Sequence, residues 1–113
     1  MADNILGQGI SLYRQKSYTG ALSFFLSLPV DCGADKNEIA YYLGLCYAKL
    51  ERYDDALLYL EQVVTSGTHL ERTLQCRFLL AVIYALSGRR RLVAPYLDVL
   101  LRLHRIAKVR RFS

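Results

Sequence analysis

The stretch YYLGLCYAKLERYDDALLYLEQVV, which spans residues 41–64, decides the fold. Its apolar residues recur at intervals of three and four on either side of the dipeptide Glu51-Arg52. That spacing places them on one face of an α-helix, whereas a half-buried strand would alternate apolar and polar residues. The stretch therefore predicts two amphipathic helices joined by a short turn.

The same pattern occurs three times along the chain. An interval of 35 residues joins equivalent residues of the first two copies, in the pairs Gly9 and Gly44, Tyr18 and Tyr53, and Ala21-Leu22 and Ala56-Leu57. An interval of 37 residues leads to a third copy, in the pairs Leu43 and Leu80, Gly44 and Ala81, and Tyr47 and Tyr84. Repeats of this length indicate a stack of similar units, because each unit leaves an apolar face exposed until the next unit covers it.

Residues that end helices divide the chain at five places. The breaks fall at Lys16-Ser17, residues 28–33, Glu51-Arg52, residues 65–67 and Ser87-Gly88. Pro29 lacks the backbone donor that a helix interior needs, and Gly67 and Gly88 tolerate the left-handed conformation that often terminates a helix. The breaks predict about six helices of roughly 11 to 17 residues and no strand. We therefore expect an all-α fold, and the chain of 113 residues suffices for one domain.

The repeat resembles the tetratricopeptide repeat, a family of helix hairpins about 34 residues long. The second copy carries the resemblance at Leu43-Gly44, Tyr47, Tyr53, Ala56, Leu60 and Val63. The first copy departs by having Leu12 where an aromatic residue is usual, and the third has Arg90 in place of the turn aromatic and Val93 in place of alanine. The small residue of each copy would let its two helices approach closely, with Gly44 facing Ala56.

The resemblance implies three antiparallel helix hairpins stacked as a short right-handed superhelix. It covers residues 3–105, with units at approximately 3–35, 37–69 and 70–105. Residues 106–113 would form a basic C-terminal tail.

In this family the first helix of each hairpin lines a concave groove that binds protein partners. Carried over position by position, the resemblance implies a peptide-binding groove lined by Leu6, Ile10, Tyr13, Arg14, Tyr41, Leu45, Lys49, Phe78 and Val82. This mainly aliphatic and aromatic lining suits an apolar peptide or an amphipathic helix.

Some members of the family clamp a C-terminal carboxylate at positions that here hold Leu6, Ile10, Tyr42, Gln75 and Leu79. None of these side chains is cationic, so no such clamp is expected. Cover of the groove by a neighbouring helix or a second copy remains the alternative.

Residues that could perform a reaction are few and scattered. The two histidines, His69 and His104, lie 35 residues apart, and each sits near a predicted helix end. The cysteines, Cys32, Cys46 and Cys76, form neither a CxxC pair nor a Cys/His cluster. We predict that the protein is not an enzyme, has no metal site and needs no cofactor. Reduced thiols fit a cytoplasmic protein.

Positive charge is concentrated towards the C-terminus. The formal net charge is +5, yet residues 89–113 hold eight basic residues against Asp98 alone, which gives them +7. The remaining residues hold seven basic and nine acidic groups, which gives them −2. The predicted basic patch comprises Arg89, Arg90, Arg91, Arg105, Lys108, Arg110 and Arg111.

The basic patch has three interpretations: a solvated helix end, contact with an acidic protein, or contact with nucleic acid or anionic lipid. Nucleic acid is disfavoured because few aromatic residues are interleaved with the arginines.

The last predicted helix is apolar on nearly all sides between Leu92 and Ile106. A terminal repeat usually presents a polar outer face, so we expect this helix to be covered. Residues 105–112 folded back onto it, further chain beyond Ser113 or self-association into an oligomer would each cover it, and we favour self-association. No apolar run approaches the roughly 20 residues of a transmembrane helix.

These patterns predict a protein–protein interaction module, that is, an adaptor, an assembly scaffold or a small chaperone that binds an apolar helix or peptide in its groove. The alternative is association of the Arg-rich C-terminal segment with nucleic acid or an anionic membrane.

Overall fold

The computed structural model describes residues 5–98 together with Arg102 and Arg105. Its helices are α1 (Gly7–Arg14), α2 (Tyr18–Leu26), α3 (Lys36–Lys49), α4 (Tyr53–Ser66) and α5 (Leu70–Leu86). A short 3₁₀ turn, Arg90–Leu92, then leads into helical residues 93–98. This part of the chain contains no strand, so the predicted all-α fold class is confirmed.

The first two helices are shorter than the sequence predicted, with eight and nine residues. Leu6 occupies the N-cap position of α1 without a side-chain cap bond and is 5% exposed, and the first helix begins at Gly7. At the other end of this unit, the Ser27 hydroxyl donates to the Phe24 carbonyl at 2.8 Å and ends α2 before Pro29. Side-chain bonds of this kind compete with the helical ladder.

The helices α1, α3 and α5 end in the same way. Lys16, Glu51 and Gly88 each adopt a left-handed backbone, with φ values of 65°, 60° and 78°. In all three turns the amide of the following residue donates to the carbonyl five residues earlier, over 2.9, 2.9 and 2.7 Å respectively. This Schellman arrangement satisfies carbonyl groups that a helix end leaves unpaired. The backbone therefore repeats at the intervals of the sequence pattern.

Equivalent residues of the three copies share the same burial. Ala21 and Ala56 are fully buried, and the leucines that follow them are both 7% exposed. Tyr47 and Tyr84 correspond in the same way, at 7% and 6% exposure. These residues belong to one hydrophobic core that runs from α1 through α5. Burial of the repeated apolar positions is thus what holds successive units together.

Gly44 allows α3 and α4 to approach each other closely. A Cβ atom placed on Gly44 would lie 2.5 Å from Leu60 Cδ2 and 2.7 Å from Leu60 Cγ. Gly9 meets Phe24 and Phe25 of α2 equally closely. The nearest neighbour of Gly44 is therefore Leu60, one turn beyond the expected Ala56.

Each helix packs against the next one along the chain, and α3 also contacts α5. Polar contacts join helices that are distant in the sequence. The Arg72 guanidinium donates to the Asn37 side chain at 2.7 Å, and the Tyr96 hydroxyl donates to Glu61 at 3.1 Å. Both contacts span 35 residues. Glu61 also accepts a hydrogen bond from the Tyr84 hydroxyl, which ties α4 to α5 and to the segment after it.

No helix among the described residues has both the length and the apolar character required to cross a bilayer. The predicted basic tail, residues 106–113, and most of the predicted last helix beyond Asp98 lie outside the described residues.

Candidate functional site

A concave pocket of about 650 Å³ opens on the face formed by α1, α3 and α5. Its lining residues are Tyr13, Arg14, Tyr41, Tyr42, Leu45, Leu74, Gln75, Phe78 and Leu79. All but two of them are aliphatic or aromatic, and none comes from α2 or α4. We call it the aromatic pocket.

Three tyrosine rings form one wall of the aromatic pocket. The ring of Tyr42 meets Tyr13 edge-on at a centroid distance of 5.8 Å and Tyr41 at 5.2 Å. Phe25 of α2 stacks on the Tyr42 ring at 5.5 Å, with only 11° between the ring planes. Aromatic contacts of this geometry are favourable beyond the area they bury. The wall is therefore supported from the core and presents fixed ring surfaces.

Two polar groups at this wall, the Tyr41 hydroxyl and the neighbouring Arg72 guanidinium, already have partners. The Tyr41 hydroxyl donates to the side-chain oxygen of Gln75, which joins α3 to α5. The Arg72 guanidinium lies 5.5 Å from the centroid of the Tyr41 ring and donates to Asn37. Burial raises the pKa of Tyr41 to about 12, so its hydroxyl is neutral at neutral pH. What the wall offers to a ligand is therefore mostly apolar surface.

A stripe of apolar side chains on α5 extends this surface. Phe78, Val82 and Leu86 follow one another at intervals of four residues, and their exposed fractions are 54%, 37% and 65%. Residues four apart lie on one face of a helix, so the three side chains form a continuous strip. Phe78 belongs both to this stripe and to the lining of the aromatic pocket.

The structure brings together five of the nine residues predicted for the groove. Tyr13, Arg14, Tyr41, Leu45 and Phe78 all line the aromatic pocket. Val82 lies on the exposed stripe one turn further along α5.

Three predicted groove residues lie elsewhere. Leu6 is buried in the core, and Ile10 is half-buried against it. The ammonium group of Lys49 lies 6.0 Å from the centroid of the Tyr18 ring and does not border the pocket.

Leu74 was not predicted to line the groove. Tyr42 and Leu79 were predicted only as the positions of the family's carboxylate clamp, and each directly follows a residue that lines the pocket, Tyr41 and Phe78 respectively. Leu74 lies one turn before Phe78 on α5, and this interval of four residues was the available signal.

The basic patch is only partly described. Arg89 forms an ion pair with Asp54 at 3.2 Å, while Arg90, Arg91 and Arg105 are exposed. The remaining members, Lys108, Arg110 and Arg111, lie outside the described residues.

The side chains that could take part in a reaction either cap a helix or are buried. The His69 side chain accepts a hydrogen bond from the Arg72 amide at 3.3 Å and so caps α5. Burial raises the pKa of the Cys46 thiol to about 11 and that of Cys76 to about 12, which disfavours the reactive thiolate. Residues 5–98 contain no cluster of His, Cys, Asp and Glu side chains that could hold a metal ion.

Comparisons with protein-family models, with curated proteins and with solved structures give no match for this chain.

Proposed function

We propose that the chain forms a short right-handed superhelix of tetratricopeptide-like hairpins that serves as a protein–protein interaction module. The sequence repeat, the matching helix ends and the matching burial of equivalent residues support the hairpin architecture. Within such an architecture α1, α3 and α5 are the first helices of the three hairpins, and the aromatic pocket opens on the face that they form.

The proposed activity is binding of an apolar peptide, or of the apolar face of a helix, across α1, α3 and α5. The observation that carries this proposal is the aromatic pocket together with the exposed phenylalanine at its margin. Exposed apolar surface in water is unfavourable by roughly 25 cal/mol per Å², and a partner that covers it recovers this free energy. A protein that acts in this way is an adaptor, an assembly scaffold or a small chaperone.

Phe78→Glu tests the proposal directly. Because Phe78 is 54% exposed, the substitution should leave the helical content unchanged. A carboxylate at this margin would have to be desolvated when a partner binds, so we expect partner retention to fall by about tenfold or more. The measurement is affinity capture from the native host with quantitative mass spectrometry, alongside circular dichroism.

Leu58→Glu is the matched control. Leu58 is 58% exposed, lies on α4 and does not border the aromatic pocket. Partners that depend on the pocket should be retained by Leu58→Glu and lost by Phe78→Glu. If the two variants retain the same partners in the same amounts, the pocket is not the binding site.

A further inference from the structure

The C-terminal ends of α1, α3 and α5 lie together at one end of the helix layer that holds the aromatic pocket. The Lys49 ammonium at the end of α3 lies 6.0 Å from the ring of Tyr18, which is 5.4 Å from the Tyr13 ring near the end of α1. Just after α5, Arg89 pairs at 3.2 Å with Asp54, which follows the turn between α3 and α4. The three helix ends therefore form one continuous edge.

The opposite ends of the helices form a second edge. Near the start of α3, the side-chain amide of Asn37 donates at 3.2 Å to the Ser66 hydroxyl at the end of α4. The Asn37 side-chain oxygen accepts at 2.7 Å from Arg72, near the start of α5. Arg72 also pairs with Asp35, which caps α3, at 3.5 Å. The starts of α3 and α5 therefore lie side by side, and these two helices point the same way.

The two edges carry opposite charge. The first edge, residues 14–17, 49–55 and 87–91, holds seven basic and three acidic residues, which gives it a formal charge of +4. The second edge, residues 27–38 and 66–72, holds four acidic and two basic residues, which gives it −2. We call them the basic edge and the acidic edge. The apolar pocket lies between them.

The basic edge reaches the pocket itself. Arg14, in the last turn of α1, lines the pocket and is exposed, and it has no ion-pair partner among the described residues. Lys49 occupies the equivalent position 35 residues later, in the last turn of α3, and is also exposed. Towards the acidic edge, burial is the main cause of the raised pKa of Tyr42; Glu38 raises this pKa further, whereas Arg14 and Arg72 lower it. A ligand in the pocket therefore has Arg14 on one side and, on the other, an edge whose formal charge is negative although it includes Arg72.

We infer that the pocket takes an amphipathic helix whose apolar face is bordered by acidic residues along one flank only. This inference rests on the proposed function and specifies the chemistry of the partner. A helix laid across α1, α3 and α5 turns one flank to the basic edge and the other to the acidic edge. Acidic residues on the first flank gain attractive interactions, whereas on the second flank they would meet like charge. Because reversing the helix exchanges its flanks, the charges also determine the direction in which it binds.

Two designed peptides test this inference. Both are helices of about 18 residues with the same face of leucine and alanine, long enough at about 27 Å to cross several helices. The first carries glutamates along one flank and glutamines along the other, and the second has lysines in place of the glutamates. We expect the protein to bind the glutamate peptide about tenfold more tightly at low ionic strength, and the difference to shrink as salt is added. Fluorescence anisotropy measures both affinities.

Charge reversal at the edge locates the effect. Arg14→Glu/Lys49→Glu should abolish the preference for the glutamate peptide or invert it. Arg77→Glu/Arg105→Glu changes the net charge by the same amount at residues that belong to neither edge and do not line the pocket, and it should keep the preference of the unmodified protein.

The outcomes separate this inference from the proposed function. The acidic-flank inference would be wrong if the protein bound the two peptides with equal affinity and Arg14→Glu/Lys49→Glu left both affinities unchanged. If Phe78→Glu nevertheless reduced both affinities, binding in the pocket would still stand. Failure of both peptides to bind, or binding that Phe78→Glu leaves unchanged, would count against pocket binding itself. If the edge variant abolished binding of generic single-stranded RNA while the peptides bound equally, the basic edge would serve nucleic acid and the inference would be wrong.

Discussion

At the scale of single residues, Gly44 sets the distance between α3 and α4. A methyl group there would lie 2.5 Å from the fully buried side chain of Leu60 and 3.3 Å from the Leu60 backbone nitrogen. We expect Gly44→Ala to lower the free energy of unfolding by about 1–3 kcal/mol, since the strain exceeds the gain of up to about 1 kcal/mol in helix propensity.

The control for this prediction is Gly7→Ala. A Cβ atom at Gly7 would meet nothing within 4 Å, so this variant should be neutral or slightly stabilising. Urea unfolding measures both variants. Equal stability of Gly44→Ala and the unmodified protein would mean that the two helices can separate at no cost.

At the scale of the helix, Asp35 fixes the start of α3. Its carboxylate accepts a hydrogen bond from the Asn37 amide at 2.9 Å and also pairs with Arg72. We expect Asp35→Ala to cost about 1 kcal/mol of unfolding free energy, because it removes the cap. Asp35→Asn keeps an acceptor at the same place and should cost less than half as much. An equal loss in both variants, measured by urea unfolding, would assign the effect to the ion pair instead of the cap.

The helices could be predicted from the sequence because their apolar spacing and their breaks are local signals. The left-handed residues at two of the three equivalent turns, Lys16 and Glu51, could not be predicted from residue type, since glycine is the usual choice there. Only the repeat itself, through Gly88 in the third copy, marks these positions.

The pocket coincides in part with the predicted groove. The prediction assumes helices of equal length in every unit, whereas α1 has only eight residues and Leu6 is 5% exposed and packed in the core. Along the sequence, positive charge is concentrated in the last quarter of the chain. The division of charge into a basic and an acidic edge depends on which helix ends lie side by side, and this follows only from tertiary contacts such as that between Arg89 and Asp54.

At the scale of the whole molecule, the buried phenols and thiols predict sensitivity to alkali. Burial raises the pKa of Tyr41 to about 12 from 10.0, and that of Cys46 to about 11 from 9.0. The pKa of Tyr84 is raised as well, by burial and by its hydrogen bond to Glu61. Because the unfolded chain loses these protons first, stability is full below about pH 9 and falls as the pH rises towards 12.

The measurement is the urea midpoint between pH 8 and pH 11, which we expect to decrease steadily over the upper part of this range. Tyr41→Phe keeps the ring and removes one titrating hydroxyl, so its midpoint should depend less steeply on pH than that of the unmodified protein. A midpoint that stays constant up to pH 11 would contradict the raised pKa values.

The contacts between neighbouring helices also bear on how the chain folds. No hydrogen bond, ion pair or ring contact among the described residues joins groups more than 37 residues apart. Each of these contacts closes a loop of limited length, and helical proteins dominated by such contacts have a low relative contact order and fold within microseconds to milliseconds. Nucleation can begin at any unit and spread to its neighbours, so one end of the molecule can open while the other stays folded.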